Sequence, residues 1–319
     1  MKKLLILVLA VFVGCESDLE QKSLVLDFRV LGASSSPAEF IYQGKPPSEL
    51  EIELSVLVVD PRTPEAMVDI VVEACVFESD NVCIPMDTSP LVVSSMTLGS
   101  GNFTCKIAKD HIDASFEADP FMGIFGAAVW MLGTISHGEE EISLLRSVLV
   151  TPDGGLGRTP NQSPLIREIL VGEEGEEVAI ELDDLGRWRF VAGQTERLLP
   201  LFDPDDKEEH TVPTFNFDPS TPDEETAPDN GPKLTFTEVS EILSIDYYTD
   251  LGVLGTDSNN DKEKLLLTEE DEDKSRRFAV EYSTDPGGTG EGTIWFIASY
   301  NFGGVSWVEL PILIVQGGH

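Results

Sequence analysis

The amino-acid sequence predicts an all-β protein built from two tandem β-sandwich domains. Short apolar runs alternate with polar residues at the two-residue period of a half-buried strand, and few stretches show the 3.6-residue period of a helix. Turn residues separate these runs at short intervals, which is typical of sandwiches. A similar order of runs then recurs in the second half of the chain, and 319 residues are enough for two domains of ordinary size.

The first segment, MKKLLILVLAVFVGCES, has the layout of a secretion signal. Lys2 and Lys3 precede an apolar run from Leu4 to Val13. This run is too short for a transmembrane helix, which needs about 20 apolar residues. We therefore expect residues 1–14 to be a signal peptide.

The end of this signal resembles a bacterial lipobox, in which a small residue precedes a cysteine that becomes lipidated. Gly14 precedes Cys15 here, although Phe12 stands where leucine is usual. The resemblance implies cleavage before Cys15 and attachment to the membrane through lipid on its sulfur; the alternative is ordinary secretion with a chance cysteine. Glu16, rather than aspartate, implies the outer membrane of a Gram-negative bacterium, with the protein facing the periplasm or the surface. Residues 15–23 would then be a polar tether that lifts the first domain off the bilayer.

The first sandwich is expected over residues 24–150. Alternation in its first strand puts four apolar side chains on one face: Leu24, Leu26, Phe28 and Val30. The run from Glu49 to Asp60, ELEIELSVLVVD, reads as a half-buried strand with an acidic outer edge. A short helix is expected near Lys109 to Glu117, and the runs AAVWMLGTIS and ISLLRSVLV should form a hairpin around residues 137–141.

An internal repeat supports a second sandwich. AVWMLGTISHGEEEISLLRSVLV aligns without a gap with TIWFIASYNFGGVSWVELPILIV, which places Trp130 on Trp295 and Val150 on Val315. Both tryptophans fall in the middle of predicted strands, which favours core positions for them.

The boundaries of the second sandwich follow from composition. Residues 151–164, TPDGGLGRTPNQSP, are rich in glycine and proline and predict a linker to a sandwich over residues 165–316. Two acidic segments, at about 203–232 and 257–275, are expected to be exposed loops, because their low apolar content cannot offset the entropy of ordering them.

The charge of the chain excludes some partners. Asp and Glu number 58 against 21 Lys and Arg, which gives a net charge of −37. Such a surface repels the phosphates of nucleic acids, so we expect no DNA or RNA partner.

The cysteines predict at most one disulfide in the folded body. If Cys15 carries lipid, Cys75, Cys83 and Cys105 remain, and an oxidising compartment allows one disulfide and one free thiol. The sequence leaves the pairing open.

Residue patterns that carry catalysis are not found in the sequence. It contains no G-x-S-x-G motif, P-loop or dinucleotide fingerprint, so we expect a non-enzymatic protein without a cofactor. Its four histidines are expected to be surface residues: His111, His137, His210 and His319.

Calcium is the one metal ion with a candidate site. Asp257, Asn259 and Asp261 have the 1-3-5 spacing of oxygen ligands in a calcium loop. Lys262 and Thr268 occupy the positions that an EF-hand gives to glycine and glutamate, so the EF-hand pattern fails. A solvated acidic turn is the alternative interpretation.

Two motifs suggest a family. The strand ending V-V-D-P, Val58 to Pro61, and the hairpin WFIASYNFGGVSW, Trp295 to Trp307, resemble motifs of predicted surface lipoproteins of myxobacteria and related Gram-negative bacteria. The resemblance implies two tandem immunoglobulin- or cadherin-like sandwiches behind a lipoprotein signal peptide. It further implies an envelope-anchored binding or scaffold protein, with a protein or polysaccharide partner. A calcium-dependent or carbohydrate-binding adhesion module is the alternative.

Replacing Cys15 by alanine tests the predicted anchor. We expect the Cys15→Ala protein to lose lipid label and keep an uncut signal, because the acyl acceptor is gone; metabolic labelling with an alkyne fatty acid measures this. Cys105→Ala should keep the label, and label persisting in Cys15→Ala would refute the anchor.

Overall fold

Two β-sandwiches make up the parts of the chain that the computed structural model describes, residues 23–77, 82–118, 126–154, 157–202, 209–216, 233–240, 242–255, 265–266, 278–300 and 303–317. The all-β prediction is confirmed, since strands dominate and these ranges contain a single helix, α1 (Lys109–Ala118), close to the helix expected from the sequence.

The first sandwich consists of two sheets. Its strands are β1 (Arg29–Ser36), β2 (Glu39–Tyr42), β3 (Glu49–Val59), β4 (Met67–Phe77), β5 (Cys83–Pro85), β6 (Val92–Thr97), β7 (Gly99–Ala108), β8 (Ala127–His137) and β9 (Glu140–Pro152). Sheet 1 has the order β2-β9-β8-β4-β5, with β6 also paired to β4. Sheet 2 has the order β1-β3-β7.

The second sandwich repeats this plan. Its strands are β10 (Ile166–Val171), β11 (Val178–Ala179), β12 (Trp188–Val191), β13 (Thr195–Phe202), β14 (Glu209–Asn216), β15 (Lys233–Ser240), β16 (Ile242–Thr249), β17 (Val253–Leu254), β18 (Leu265–Leu266), β19 (Val280–Ser283), β20 (Gly290–Tyr300) and β21 (Val305–Val315). Sheet 3 has the order β12-β21-β20-β16-β18, and sheet 4 the order β11-β10-β13-β19-β17.

A two-stranded hairpin, β14–β15, lies in the connection between β13 and β16. The loop expected at residues 203–232 therefore contains a strand. The reason is local: the run HTVPTFN within this acidic segment is β-prone, although the composition of the whole segment hides it. The loop expected at 257–275 likewise contains a short strand, β18, which pairs with β16. Apart from β14 and β18, the two expected loops lie outside the described residues.

Both sandwiches share the strand order of an immunoglobulin-like fold. In the first, β1 pairs with β3 in sheet 2, while β2 crosses to sheet 1 and pairs parallel with β9. In the second, β10 pairs with β13 and β12 pairs parallel with β21 in the same way. The central pairs β4–β8 and β16–β20 and the hairpins β8–β9 and β20–β21 also correspond, so the repeat holds at the level of topology.

The ungapped alignment of the repeat is wrong in its second strand. Trp130 pairs with Ser147, but Trp295 pairs with Glu309 rather than with Ile312, so the two hairpins differ in register by three positions. The cause is the position of the turn: pairing continues to His137–Glu140 in β8–β9, whereas in β20–β21 it ends at Ser299–Val305, before the residue that aligns with His137. An odd shift moves side chains to the other face of a sheet. Val150 is accordingly fully buried, whereas its aligned partner Val315 is only half-buried.

The four sheets lie in the order 1-2-3-4, with an apolar layer between each neighbouring pair. The first core fills the space between sheets 1 and 2, and the second core the space between sheets 3 and 4. A third cluster joins the two sandwiches between sheets 2 and 3: Val25, Leu31, Leu57, Val59, Trp295 and Ile297.

The third cluster explains a change of pattern within β3. At Glu49 to Glu53 the strand alternates acidic and apolar residues, whereas all four residues from Val56 to Val59 are apolar and buried. Val56 and Val58 face the first core, while Leu57 and Val59 face the second sandwich. The consecutive apolar residues LVV are therefore explained by a strand that is covered on both faces at one end.

Glycines permit one close approach between the sandwiches and one between the linker and the second sandwich. A Cβ at Gly32 would lie 3.0 Å from the indole of Trp307, and one at Gly304 would lie 2.3 Å from the carbonyl oxygen of Gln162. The second distance is far shorter than any real contact, so position 304 requires glycine for the linker to pass.

A buried polar network fixes the linker against the edge of the first sandwich. Arg158 forms an ion pair with Glu39 at 3.0 Å, and both side chains are buried. The backbone N–H of Asn161 donates to Glu39 at 3.2 Å, and that of Arg158 donates to Asp153 at 2.8 Å. The segment that composition marks as a linker is therefore held along β2 and the end of β9.

Beyond this network the linker reaches the turn of the β20–β21 hairpin. The N–H of Val305 donates to Ser163 at 3.2 Å, and the hydroxyl of Ser306 donates to the carbonyl of Pro164. Arg146 donates to the carbonyl of Gly303 from the first sandwich. Burial lowers the pKa of Arg146 to about 10, so the group still carries its charge at neutral pH.

The third cluster predicts that an acidic residue at Leu57 separates the sandwiches. A carboxylate buried there costs several kcal/mol unless the layer opens. We expect Leu57→Asp to keep its β-sheet circular dichroism, since Leu57 lies outside both sandwich cores, and to gain in radius of gyration by small-angle X-ray scattering.

Leu145→Asp is the matched control, because Leu145 is 43% exposed on sheet 1, away from the third cluster. An unchanged radius of gyration in folded Leu57→Asp would contradict the role of this layer.

Candidate binding face

Several candidate site residues lie outside the described parts of the chain: Cys15, Asp257, Asn259 and Asp261. Within the described ranges, no three His, Cys, Asp or Glu side chains come together in a way that could hold a metal ion. No helix in those ranges is long and apolar enough to span a bilayer. The lipid anchor and the calcium loop stay predictions.

The structure pairs two of the three remaining cysteines. Cys75 and Cys83 form a disulfide, because β5 pairs with β4 and brings their Cα atoms to 5.5 Å. Cys105 is a free thiol that faces the first core from β7. Burial raises the pKa of Cys105 to about 11, which makes it unreactive at neutral pH.

The expectation that the histidines lie on the surface is wrong for His111. This residue is 3% exposed and sits on the inner face of α1 together with Ile112 and Ser115. Its Nε2 lies 3.2 Å from the carbonyl oxygen of Cys75, which can only accept, so Nε2 carries the proton. Desolvation lowers the pKa of His111, and the side chain serves to dock the helix on β4. The amphipathic spacing of residues in this short helix was the signal in the sequence that His111 is buried.

An apolar surface covers the outward side of sheet 1. We call this surface the open face and define it by six residues: Val71, Phe77, Val93, Trp130, Leu132 and Leu145. Each projects away from the first core, because the neighbouring residues on its strand, such as Ile70 and Val129, are fully buried in that core.

Cross-strand pairs join members of the open face. Val71 lies opposite Val93, and Leu132 opposite Leu145. The rings of Phe77 and Trp130 meet edge to face with their centroids 4.7 Å apart. Val93 is 74% exposed and Leu145 43% exposed, so at least these two members of the open face meet solvent.

Carboxylates lie both at the border of the open face and within it. Glu73 lies between Val71 and Phe77 on β4, opposite Leu132. Asp69, Glu73 and Glu141 project from the same side of the sheet, and Ser95 donates to Asp69 at 2.5 Å. Among the described residues of β4, β5, β6, β8 and β9, no Lys or Arg takes an outward position. The surface therefore combines apolar side chains with carboxylates, and Glu73 lies among the apolar members.

The equivalent surface of the second sandwich is covered. Trp295 occupies the position on β20 that Trp130 has on β8, but it is only 4% exposed because sheet 2 packs against it. The prediction of a core position for both tryptophans is thus incomplete: Trp295 is buried between the sandwiches, and Trp130 is half-buried on an open surface. Apolar residues at consecutive positions in AAVWML and SLL were the signal that both sides of these strands are apolar.

Comparisons with known proteins add no functional assignment. No protein-family model and no curated protein sequence matches the chain. Similar solved structures include a chimeric titin Z1Z2-Z1Z2 tandem (9% identity, TM-score 0.21, covering 91% of this chain and 100% of that one). They also include the Ig1-2 module of the Drosophila receptor protein tyrosine phosphatase DLAR (8%, 0.22, 92% and 100%) and murine CEACAM1b (10%, 0.19, 91% and 100%). Scores this low carry no argument, so the immunoglobulin-like fold rests on the strand order.

The buried His111 predicts a pH dependence of stability. Its pKa is lowered in the folded state from about 6.5 in the unfolded chain, so the unfolded chain binds the proton first. We expect the free energy of unfolding to fall as the pH drops below about 6.5, by at most about 1.4 kcal/mol per pH unit from this group. Urea unfolding between pH 7.5 and pH 5 measures it.

His111→Gln keeps a neutral donor and removes the titration, so its stability should fall less over the same range. Parallel pH profiles for the two proteins would contradict the assignment.

Proposed function

We propose that this protein is a non-enzymatic binding protein of the cell envelope, held to the outer membrane by lipid at Cys15, which docks a protein partner on the open face. The observation that carries the proposal is the group of apolar side chains on that face, of which Val93 is 74% and Leu145 43% exposed. A large apolar surface that remains in water is unfavourable and marks interaction sites. The equivalent face around Trp295 is stabilised by packing against a second sheet.

The chemistry of the open face selects the partner. Asp69, Glu73 and Glu141 lie beside and among the apolar side chains, so a complementary surface has apolar residues interspersed with Lys or Arg. A second copy of this chain fits poorly, because two open faces would bring these carboxylates together and each chain has a net charge of −37. The partner is therefore a basic protein surface rather than a second copy or a nucleic acid.

The other outermost sheet is less suited to this role. Glu168, Arg197 and Glu281 project from the outward side of sheet 4, and Arg197 pairs with Glu177 at 2.7 Å. Charged side chains that are satisfied within the sheet leave less apolar area for a partner.

Site-specific photo-cross-linking in intact cells tests the proposal. A benzoylphenylalanine at Val93 or Leu145 should give one discrete adduct, and one at Val178, which is 61% exposed on the second sandwich, should give none. Equal adducts at all three positions, or none, would overturn the open face as the docking site. An adduct of twice the mass of this chain would show self-association instead.

Charge reversal tests the proposed chemistry of the partner. Asp69→Lys with Glu73→Lys should lower the adduct yield at Val93, because the two substitutions remove carboxylates that would attract a basic partner. Glu51→Lys with Glu53→Lys makes the same change in net charge on sheet 2 and should leave the yield unchanged. The same loss in both double variants would mean that only the overall charge matters.

A further inference from the structure

The first described residues of the chain belong to the second sandwich, not to the first. The N–H of Val25 donates to the carbonyl of Thr249 at 2.7 Å, and the N–H of Thr249 donates to the carbonyl of Ser23 at 2.8 Å. These bonds place residues 23–25 beside β16, with an isolated parallel bridge between Leu24 and Thr249.

The side chains confirm this placement. Val25 is fully buried in the third cluster, between the sandwiches, whereas its neighbour Leu26 is 49% exposed. The strand expected to place Leu24, Leu26 and Phe28 on one face therefore does not form there. β1 begins only at Arg29, after Phe28 has entered the first core.

The chain thus enters the folded body at the junction of the two sandwiches. This entry point lies at one end of the strands of the first sandwich. Arg29 pairs with Val59, where β3 ends. Arg62 in the next turn pairs with Glu140 at 2.6 Å, where β9 begins. We call this the near end; the far end is where β3 begins, at Glu49, close to Lys45.

The reach of the tether is short compared with the molecule. Eight peptide units join Cys15 to Ser23, and at about 3.5 Å each they span at most about 28 Å. A flexible chain of that length has a typical end-to-end distance of about 16 Å. The 11 residues of β3 alone, which connect the near end to the far end, extend about 35 Å.

We propose that the near end, at the junction of the two sandwiches, faces the bilayer, so that both sandwiches stand beside each other on the membrane. This inference rests on the proposed lipid anchor at Cys15. It replaces the arrangement expected from the sequence, in which the tether lifts the first domain off the bilayer. The strands of the open face run between the near and far ends, so the open face is presented sideways, toward partners in the same envelope layer.

The acidic surface maintains this orientation. With a net charge of −37, the body is repelled by anionic headgroups and does not lie flat on them. The contact with the membrane is the lipid itself and not a basic patch.

Energy transfer to lipid acceptors tests the orientation in the full-length lipidated protein. Glu65 and Lys45 are both exposed turn residues, at the near and far ends respectively, and each is replaced by cysteine for donor labelling. The protein without either substitution should take up no label, because Cys15 is acylated, Cys75 and Cys83 are joined, and Cys105 is buried.

In vesicles of phosphatidylcholine with a rhodamine-labelled lipid, we expect the donor at position 65 to transfer at least about twice as efficiently as the donor at position 45, given the separation of about 35 Å. Equal transfer, or more transfer at position 45, would overturn the orientation while leaving the anchor intact. Protein that carries no lipid and does not float with vesicles would overturn both the anchor and the orientation.

A pair of neighbouring variants tests the role of the N-terminal residues. Val25→Ser removes the buried side chain and should reduce the difference between the two donors, because the released chain lengthens the tether. Leu26→Ser changes an exposed neighbour and should leave the difference unchanged. If the difference survives in Val25→Ser that is folded by circular dichroism, these residues do not set the orientation.

Discussion

The apolar layer between sheets 2 and 3 is the contact on which the arrangement of the molecule depends. Each sandwich has its own core, so neither needs the other to bury its interior. The layer forms because β3 and β20, the middle strands of their sheets, carry large apolar residues on both faces. Burying each side chain of this size contributes about 2 kcal/mol, so the layer holds as one body two domains that a polar interface would leave mobile.

The polar network of the linker complements this layer. A buried ion pair such as Glu39–Arg158 adds little net stability, since desolvation offsets the attraction, but removing one partner costs about 3–5 kcal/mol. The network therefore selects one path for the chain more than it stabilises the fold. Along that path Ser163 comes to lie beside Gly304, where the backbone of the linker passes close to that of the second sandwich.

The two sandwiches carry equivalent surfaces that differ in whether another sheet covers them. Around Trp295 the surface is closed by the first sandwich, and around Trp130 at least its outer members meet water. This difference suggests a role for the open face, because the equivalent surface around Trp295 is covered by another protein surface, sheet 2. Carboxylates lie on both surfaces, since Glu309 is paired with Trp295 and Asp246 with Ile297 on the covered one.

The sequence by itself determined the all-β class, the recurrence of the strand order and the acidic surface, because alternation and composition are local properties. It also carried the signal of two-sided burial in LVV and AAVWML, although alternation alone could not say what covers the second face. Only the tertiary structure decided the Cys75–Cys83 pair, the burial of His111 and the split between Trp130 and Trp295. It also decided that Val25 belongs to the junction. Each of these depends on which distant segments meet. A hairpin that turns back earlier along its first strand likewise shifts the register by three positions without any trace in an ungapped alignment.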